Sequence, residues 1–333
     1  MLTTNTIGDF TVIGDPHITK KSKDKGLKLF QMVEALGVNC IWLGDLLDTK
    51  EMISGICQNM FFDYFKDSKL HHIVIVGNHD YFNLECIDHS LKTLSALPNV
   101  TIIDSVYQHP TLPIIFFPYI HDKTKLKRLL KEHSNLSLVA FGHFEVSGFD
   151  FGNGHLCEDG IVTMEDFAGF KRVISGHFHK LQQTGNFTYL GTPFSHSFGE
   201  ANQDKVIGHY ITNSDEFILS PTDFPRHVSF KADLSKSTTA KKLGEFMKDN
   251  VGNLIRIQLH GTPELTTTFN KAQYDDYTVK WEDKSESTVN SNQVLDETLD
   301  NKSQFQSWAK DIRKLDKATT KLGLDILESL NVK

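Results

Sequence analysis

Three apolar segments near the start of the chain each end in a glycine, with polar residues following. They read FTVIGD at residues 10–15, CIWLGD at 40–45 and HIVIVG at 72–77. Short apolar runs rich in β-branched side chains predict buried strands. Apolar residues at helical spacing over 27–36 and near 53–65 predict the connecting helices. This βαβαβ order predicts parallel strands with right-handed crossovers, and therefore an α/β fold.

The rest of the chain predicts further strands and then a change of organisation. The additional strands are expected at residues 114–117, 138–141, 173–175, 188–190 and 206–212. From about Pro225, the segments HVSFKADL, TTAKKLGEFMKDN and NLIRIQLHG predict a small β-α-β unit. A polar stretch then predicts a linker, after which helical periodicity resumes. We expect a main domain at 1–224, a small domain at 225–282, a linker at 283–292 and a helical tail at 293–333.

Composition and charge exclude several classes of protein. The net charge of −7 argues against an overall basic coat for nucleic acid, although it allows a local basic patch. No apolar run approaches the ~20 residues of a membrane span, and the N-terminus lacks the pattern of a signal peptide. The four cysteines form no CxxC pair, which is typical of reduced thiols in a cytosolic protein. We expect a cytoplasmic location.

Five predicted strand ends carry carboxylates, imidazoles and an amide. In open α/β sheets, ligands collect at the carboxyl ends of strands. Mixed nitrogen and oxygen ligands without thiolate suit Mn, Fe, Zn or Mg, and their number suggests two ions bridged by one aspartate. Such a pair can clamp a phosphate and lower the pKa of a shared water. The segments are Asp15-Pro16-His17, Gly44 to Asp48, Gly77-Asn78-His79-Asp80, Gly142-His143 and Gly176-His177-Phe178-His179.

Each of these segments alone has an ordinary structural explanation. His143 alone is more often a hydrogen-bonded core histidine, and Asn78 and Asp80 favour turns. A single D-x-H arises readily by chance. All five segments, however, occur in order, and each follows a strand-like run, which favours a metal site.

The ordered motifs D-x-H, G-D-x-x-D, G-N-H-D, G-H and G-H-x-H resemble the calcineurin-like metallophosphoesterases over residues 10–212. Two segments narrow the resemblance. YLGTPFSHSFGE at 189–200 is similar to a block of the SbcD-type nucleases, and FGHFEVSGFDF at 141–151 is similar to phage recombination nuclease subunits. The resemblance implies a metallophosphoesterase α/β sandwich with a small β-α-β capping domain and a C-terminal helical tail. It also implies a DNA exonuclease of phage recombination, repair or degradation, and it leaves endonuclease activity open.

The resemblance assigns roles to matching positions. It implies two divalent ions, Mn²⁺ by expectation and Mg²⁺ as the alternative. The first donor group would be Asp15, His17, Asp45 and His179, and the second donor group Asp45, Asn78, His143 and His177, with Asp45 bridging.

Three residues beside the donor groups are expected to be catalytic. His79 would act at the scissile phosphate and not bind metal. Asp80 would orient His79 or, with equal weight, cap a helix. Asp48 stands where nucleases of this family commonly have histidine, so that role does not transfer. Asp48 could orient a ligand histidine instead.

Partner and substrate expectations rest on weaker patterns. Lysines 20, 21, 23 and 25 could follow a DNA backbone or simply form a solvated loop. The tail could dock on the coiled coil of an SbcC-like ATPase, within a homodimer-containing heterotetramer, or pack on its own domain. Its predicted contact residues are Phe305, Trp308, Ile312 and Leu315. The alternatives in function are a small-molecule or cyclic-nucleotide phosphodiesterase and a non-catalytic scaffold. A protein phosphatase is disfavoured because Thr49-Lys50 follows Asp48.

Overall fold

The computed structural model describes residues 9–48, 54–152 and 154–285, together with residues 305, 309, 316 and 319–324. The helices are α1 Lys23–Leu36, α2 Gly55–Asp67, α3 Lys123–Glu132, α4 Thr239–Asp249 and α5 Pro263–Thr268. The strands are β1 Asp9–Ile13, β2 Asn39–Trp42, β3 His72–Ile75, β4 Val100–Ile103, β5 Tyr107–Gln108, β6 Ile114–Phe117, β7 Val139–His143, β8 Arg172–Gly176, β9 Gln182–Thr184, β10 Phe187–Tyr189, β11 Val206–Ile211, β12 Glu216–Pro221, β13 His227–Asp233, β14 Leu254–His260 and β15 Val279–Asp283.

Two six-stranded sheets form the larger part of the chain. Their strand orders are β12-β11-β1-β2-β3-β4 and β5-β6-β7-β8-β10-β9. Strands β1 to β3 run parallel, as the βαβαβ pattern predicted, β4 extends them in parallel, and β11 pairs antiparallel to β1. In the other sheet β6, β7, β8 and β10 are parallel. The carboxyl ends of the parallel strands within each sheet therefore lie at one edge.

Side chains along the central strands alternate between the two faces of their sheet, and both faces are covered. Ile41 and Ile73 belong to a buried cluster that includes residues of both sheets, and the rings of Phe141 and Tyr210 lie 5.5 Å apart within it. Their neighbours Trp42 and Val74 belong to a second cluster, with α1 and α2. Both faces of these strands are buried, so their sequences are continuously apolar. This arrangement confirms the predicted α/β sandwich.

Helix α1 covers the sheet through its aromatic and aliphatic face. Leu29, Phe30 and Val33 are buried, and the Phe30 ring stacks on Tyr64 of α2 at 3.9 Å. Burying side chains of this size contributes about 1.5–3 kcal/mol each. The helix ends at Gly37, whose φ of 67° suits glycine in the left-handed region.

The chain divides into two compact units. The first contains residues 1–229 and 250–256, and the second contains residues 230–249 and 257–333. The second unit holds α4, α5 and most of a sheet with the order β13-β14-β15. Within it, the Trp281 ring lies 5.7 Å from Phe269 and 5.8 Å from Tyr274. The division expected at residue 225 remains a prediction.

Most of the predicted docking stripe falls outside the described residues. Phe305 is half-buried, whereas Trp308, Ile312 and Leu315 belong to the part of the chain that the structure does not describe. Within the described ranges, no helix combines the length and the apolar character that crossing a membrane requires.

Candidate metal centre

The predicted donors follow the carboxyl ends of five strands. Strands β1 and β2 lead into Asp15, His17 and Asp45, and β3 leads into Asn78. Strand β7 ends at His143, and β8 leads into His177 and His179. The structure brings all of these side chains together. Their spacing in sequence exceeds 160 residues between Asp15 and His177, yet the backbone N–H of His177 donates to Asp15 Oδ2 at 2.6 Å.

The second donor group converges on one point. His143 Nε2 and His177 Nδ1 each lie 2.8 Å from Asn78 Oδ1, and 3.3 Å from each other. His143 Nε2 also lies 3.4 Å from Asp45 Oδ2. Atoms about 2.0–2.1 Å from a common ion are separated by roughly 2.8–3.4 Å, so these spacings suit a divalent cation.

The tautomer of His143 gives this group its chemical character. Its Nδ1 lies 2.8 Å from the Leu43 carbonyl oxygen, which can only accept a hydrogen bond. The neutral ring therefore carries its proton on Nδ1 and presents a lone pair at Nε2, facing another acceptor, Asn78 Oδ1. Two acceptors at 2.8 Å are held together only by a cation or an added proton between them.

The first donor group shows the same pattern. The Nε2 atoms of His17 and His179 lie 3.0 Å apart, and His17 Nε2 lies 3.4 Å from Asp45 Oδ2. Asp15, His17 and His179 each offer a donor atom within 4.8 Å of the others. Among the described residues, the buried Asp15 Oδ1 has no hydrogen-bond partner. These residues fit a metal ion, and Asp45 Oδ2 lies at 3.4 Å from a histidine of each group.

Partners behind the candidate ligand histidines include residues that the sequence analysis missed. His179 Nδ1 donates to Glu200 Oε1 at 2.9 Å, and His177 Nε2 lies 3.8 Å from Glu145 Oε2, too far for a hydrogen bond. His17 Nδ1 lies 3.5 Å from Asp48 Oδ1. Carboxylates in such positions orient metal-binding imidazoles. The only signal for Glu200 was its place at the end of the 189–200 segment.

Backbone conformation at the site is strained. His17, Asp45 and His177 have φ values of 39°, 49° and 93°, a region that side chains other than glycine rarely adopt. Each such residue costs about 1–3 kcal/mol, and this strain is typical of functional sites. The glycines before the ligands have a steric reason, since a Cβ at Gly77 would overlap Asp45 Oδ1 and a Cβ at Gly176 would overlap Asp15 Oδ1.

His79 lies at the edge of both donor groups. Its ring packs edge-on against His17 with 4.7 Å between centroids, and its backbone N–H donates to Asp45 Oδ1 at 2.7 Å. Its Nδ1 lies 2.9 Å from the Asp48 carbonyl oxygen, so the N–H is on Nδ1. His17, Asp45 and His79 also form a possible ligand set, so geometry alone does not exclude metal binding by His79.

Asp80 acts on the backbone of two loops. Its Oδ2 accepts from Asp45 N at 2.8 Å and Gly77 N at 3.0 Å, and its Oδ1 accepts from Leu46 N at 3.2 Å. No helix of the described residues starts directly after Asp80, so the alternative of a helix cap is wrong. The buried carboxylate joins the loop after β3 to the loop after β2, and thereby fixes the Asp45 backbone.

The electrostatics of the site are those of groups that need a cation. Burial raises the pKa of Asp15 to about 6 and, together with the Asp45 charge, that of Asp80 to about 7. Burial lowers the pKa of His143, but the charges of Asp45 and Asp15 outweigh it and raise that pKa to about 9. Burial and the His143 charge lower the pKa of His177 to about 3. Protons compensate the buried negative charge, and a divalent ion would replace them.

The four predicted DNA-binding lysines lie in different surroundings. Lys21 and Lys25 line a cavity of about 470 Å³ beside His17, Asp48 and His179. Lys25 Nζ also donates to the Ser195 carbonyl at 3.0 Å.

The other two lysines lie elsewhere. Lys23 lines a different cavity, of about 800 Å³, between α1 and α2. Lys20 is exposed. The structure therefore brings two of the four lysines to the candidate metal centre.

Comparison with known proteins assigns the class. Residues 8–181, more than half of the chain, match the calcineurin-like phosphoesterase family. The chain belongs to this family, whose members use divalent metal ions, and it has the phosphoesterase hydrolase fold.

Individual relatives are viral. The chain is similar to Exonuclease subunit 1 of Enterobacteria phage T4, at 27% identity over 66% of this chain and 69% of the relative. It is also similar to Putative phosphoesterase 078R of Invertebrate iridescent virus 3, at 28% identity over 62% of each protein, less than two thirds of the relative. A solved archaeal phosphodiesterase matches at 16% identity with a TM-score of 0.35, over 64% of this chain and 99% of the other, too distant to add to the assignment.

Proposed function

We propose that this protein is a metal-dependent DNA exonuclease subunit that hydrolyses phosphodiester bonds. The observation that carries the proposal is the pair of donor groups sharing Asp45 Oδ2, at 3.4 Å from His17 Nε2 and 3.4 Å from His143 Nε2. Two ions held this way supply Lewis-acid stabilisation of the phosphate and a nucleophilic water near neutral pH. Mn²⁺ is the ion we expect, and Mg²⁺ the alternative, because the donors are imidazoles, carboxylates and an amide without thiolate.

In this proposal His79 is the group that handles protons beside the scissile phosphate. Its Nδ1–H is donated to the Asp48 carbonyl, which orients the ring beside the candidate metal ligands. Asp48 supports two rings, His79 through its carbonyl and His17 through its carboxylate. Asp80 supports the reaction indirectly, since its contacts fix the backbone of Asp45.

DNA as the substrate is supported by two observations. The phage relative is named as an exonuclease subunit. The cavity beside the first donor group is lined by Lys21 and Lys25, by hydroxyl groups and by imidazoles, with Asp48 as its one carboxylate among the described lining residues. Ammonium groups beside a metal centre suit the phosphates that flank the scissile bond.

Assembly with other subunits belongs to the same proposal. The word subunit in the relative's name supports a complex. We propose an SbcC-like ATPase as partner, bound through residues 293–333, and a homodimer of the nuclease within a heterotetramer. The four cysteines form no disulfide, which fits a reducing compartment, the host cytoplasm if the chain is phage-encoded. Co-purification of the ATPase with the full chain, but not with a chain lacking residues 293–333, tests the docking role.

The decisive experiment is hydrolysis of labelled substrates. The full chain should degrade duplex DNA labelled at the 5′ or 3′ end with Mn²⁺, with and without the ATPase, and EDTA should stop it. Asp15→Ala should abolish the activity, whereas Asp63→Ala, an exposed carboxylate on α2, should leave it unchanged.

Two other results would replace the proposal. Hydrolysis of cyclic nucleotides or bis-p-nitrophenyl phosphate with no action on DNA would assign a small-molecule phosphodiesterase. Two bound ions per chain with no hydrolysis of any phosphodiester would assign a non-catalytic scaffold.

A further inference from the structure

A buried ion pair lies directly behind His179. Glu200 and Lys205 are only 8% and 3% exposed, and Lys205 Nζ lies 2.8 Å from Glu200 Oε2. The other carboxylate oxygen, Oε1, accepts from His179 Nδ1 at 2.9 Å. A chain of contacts thus runs from the ammonium group through the carboxylate to the outer nitrogen of a candidate ligand.

Lys205 also holds the backbone around His179. Its Nζ donates to the His179 carbonyl at 3.1 Å and to Thr192 Oγ1 at 2.6 Å, and the N–H of Thr192 donates to the same carbonyl at 3.2 Å. One ammonium group therefore contacts both the backbone of His179 and the carboxylate that holds its ring. Burying a charged lysine is costly unless it is paired and fully hydrogen-bonded, and here it is both.

We infer that Glu200 and Lys205 are positioning residues for the metal ion of the first donor group. The inference rests on the metal centre in the proposed function. Glu200 accepts the Nδ1–H of His179, which leaves a lone pair on Nε2, the atom that faces His17 at 3.0 Å. Lys205 occupies the second oxygen of Glu200, so the first stays aimed at the ring.

Among the residues that the structure describes, the second donor group has no equivalent carboxylate–lysine pair behind a histidine. His143 is held by a backbone carbonyl, and His177 faces Glu145 across 3.8 Å, beyond hydrogen-bond distance. The effect of Glu200 and Lys205 should therefore be confined to one of the two ions. If the buried pair had a purely structural role, substitutions in it would instead weaken the binding of both ions or of neither.

The test is metal binding by the full-length, metal-free chain, titrated with Mn²⁺ by calorimetry and by electron paramagnetic resonance of free Mn²⁺. Wild type should bind two ions. Glu200→Ala should weaken the binding of one ion by about 10–100-fold and leave the affinity for the other unchanged. Glu200→Gln, whose amide oxygen can still accept from His179, should lose less. Lys205→Met should weaken the same ion.

The matched control is Tyr210→Phe in β11, the strand that follows Lys205. It removes a different, partly buried hydrogen bond, from the Tyr210 hydroxyl to Asp215 Oδ1 at 3.0 Å. It should bind both ions as wild type does, at whatever melting temperature it shows.

Three outcomes overturn the inference. The pair is structural only if folded Glu200→Ala binds both ions with wild-type affinity. If the alanine variant does not fold, the same result in folded Glu200→Gln and Lys205→Met has this meaning. Equal weakening of both ions means a general loss of site geometry. Failure of wild type to bind metal removes the centre itself. Two ions bound by a protein that hydrolyses no phosphodiester would refute the proposed function and leave this inference standing.

Discussion

His17 and His179 point their Nε2 atoms at each other across 3.0 Å. The N–H of His179 is on its opposite side, donated to Glu200 at 2.9 Å, so two ring nitrogens share the space between strand ends of the two sheets. Burial lowers the pKa of His17, but its bond to Asp48 and the charges of Asp45 and Asp15 outweigh burial and raise that pKa. A proton or a metal ion must lie between the rings. Four of the predictions below concern this site, and the fifth concerns a buried histidine at the start of β3.

Asp45→Ala should impair binding of both ions, because one carboxylate oxygen faces both donor groups at 3.4 Å. Elemental analysis after Mn²⁺ loading and desalting should fall from about two ions per chain to well below one. Asp63→Ala is the control, since its carboxylate is exposed on α2. Two ions retained in folded Asp45→Ala would refute the bridging position.

His79→Ala should keep metal content and DNA binding but lose hydrolysis. A positioned acid–base group contributes typically ~10²–10⁴-fold in rate. The measurement is single-turnover cleavage of labelled DNA, with metal content determined on the same sample. Loss of an ion in this variant would instead make His79 a ligand, as its closeness to His17 and Asp45 allows.

Lys21→Ala should raise the KM for DNA more than Lys20→Ala does. Lys21 lines the cavity beside His17 and His179, whereas Lys20 is exposed and is not among the described lining residues of that cavity. We expect a several-fold rise in KM for DNA and a smaller dependence of KM on salt, with hydrolysis of bis-p-nitrophenyl phosphate unchanged. Equal effects of the two substitutions would favour an ordinary solvated loop.

At position 177, glycine should give a more stable fold than alanine, which is the reverse of the usual order. Both substitutions remove the same imidazole, but at a φ of 93° only glycine is unstrained. In urea unfolding of the metal-free chain, His177→Gly should be more stable than His177→Ala by about 1 kcal/mol. At a position with ordinary backbone angles alanine is the more stable of the two, so that order would remove the argument for strain.

His72 should make the fold sensitive to acid. Burial and the charge of His71 lower its pKa from 6.5 to about 3, while Trp42 Nε1 donates to its Nδ1 at 3.2 Å. The His72 imidazole is therefore protonated near pH 6.5 in the unfolded chain but only near pH 3 in the folded chain. Between these values stability falls as pH falls, by up to about 1.4 kcal/mol per unit.

The measurement is the free energy of unfolding of metal-free protein between pH 7 and pH 4. His72→Asn should flatten the slope, and His121→Asn, at an exposed position on another segment, should change it much less. An unchanged slope in His72→Asn would show that other groups control acid unfolding.

The sequence determined the sandwich and the chemistry at its strand ends. Strand β6 was predicted at its observed bounds, and β1, β2 and β3 were predicted at their starts to within a residue. This was possible because a strand buried on both faces leaves a continuous apolar run, and because the glycines and polar residues that end it are adjacent in sequence. The types of donor, carboxylate, imidazole and amide, can be read in the same way.

Other elements depended on contacts distant in sequence. Strands β4 and β12 were not predicted, because they lie at the edges of their sheet, where pairing with β3 and β11 defines them. Helix α1 was predicted by its spacing, but Leu27 and Leu36 of the predicted stripe are 40% and 41% exposed, while Leu29 is buried. The period of apolar residues gives a helix, and only packing against the sheet selects its buried face.

Only the tertiary structure decided which groups support the donors. Glu200 lies 21 residues from His179 in sequence but 2.9 Å from its ring, and Lys205, the residue before β11, completes the pair. Asp80 supports the Asp45 backbone across two loops. Local sequence shows the kinds of side chain available at each strand end, whereas the orientation of an imidazole depends on partners that the fold brings from elsewhere, at distances no sequence pattern encodes.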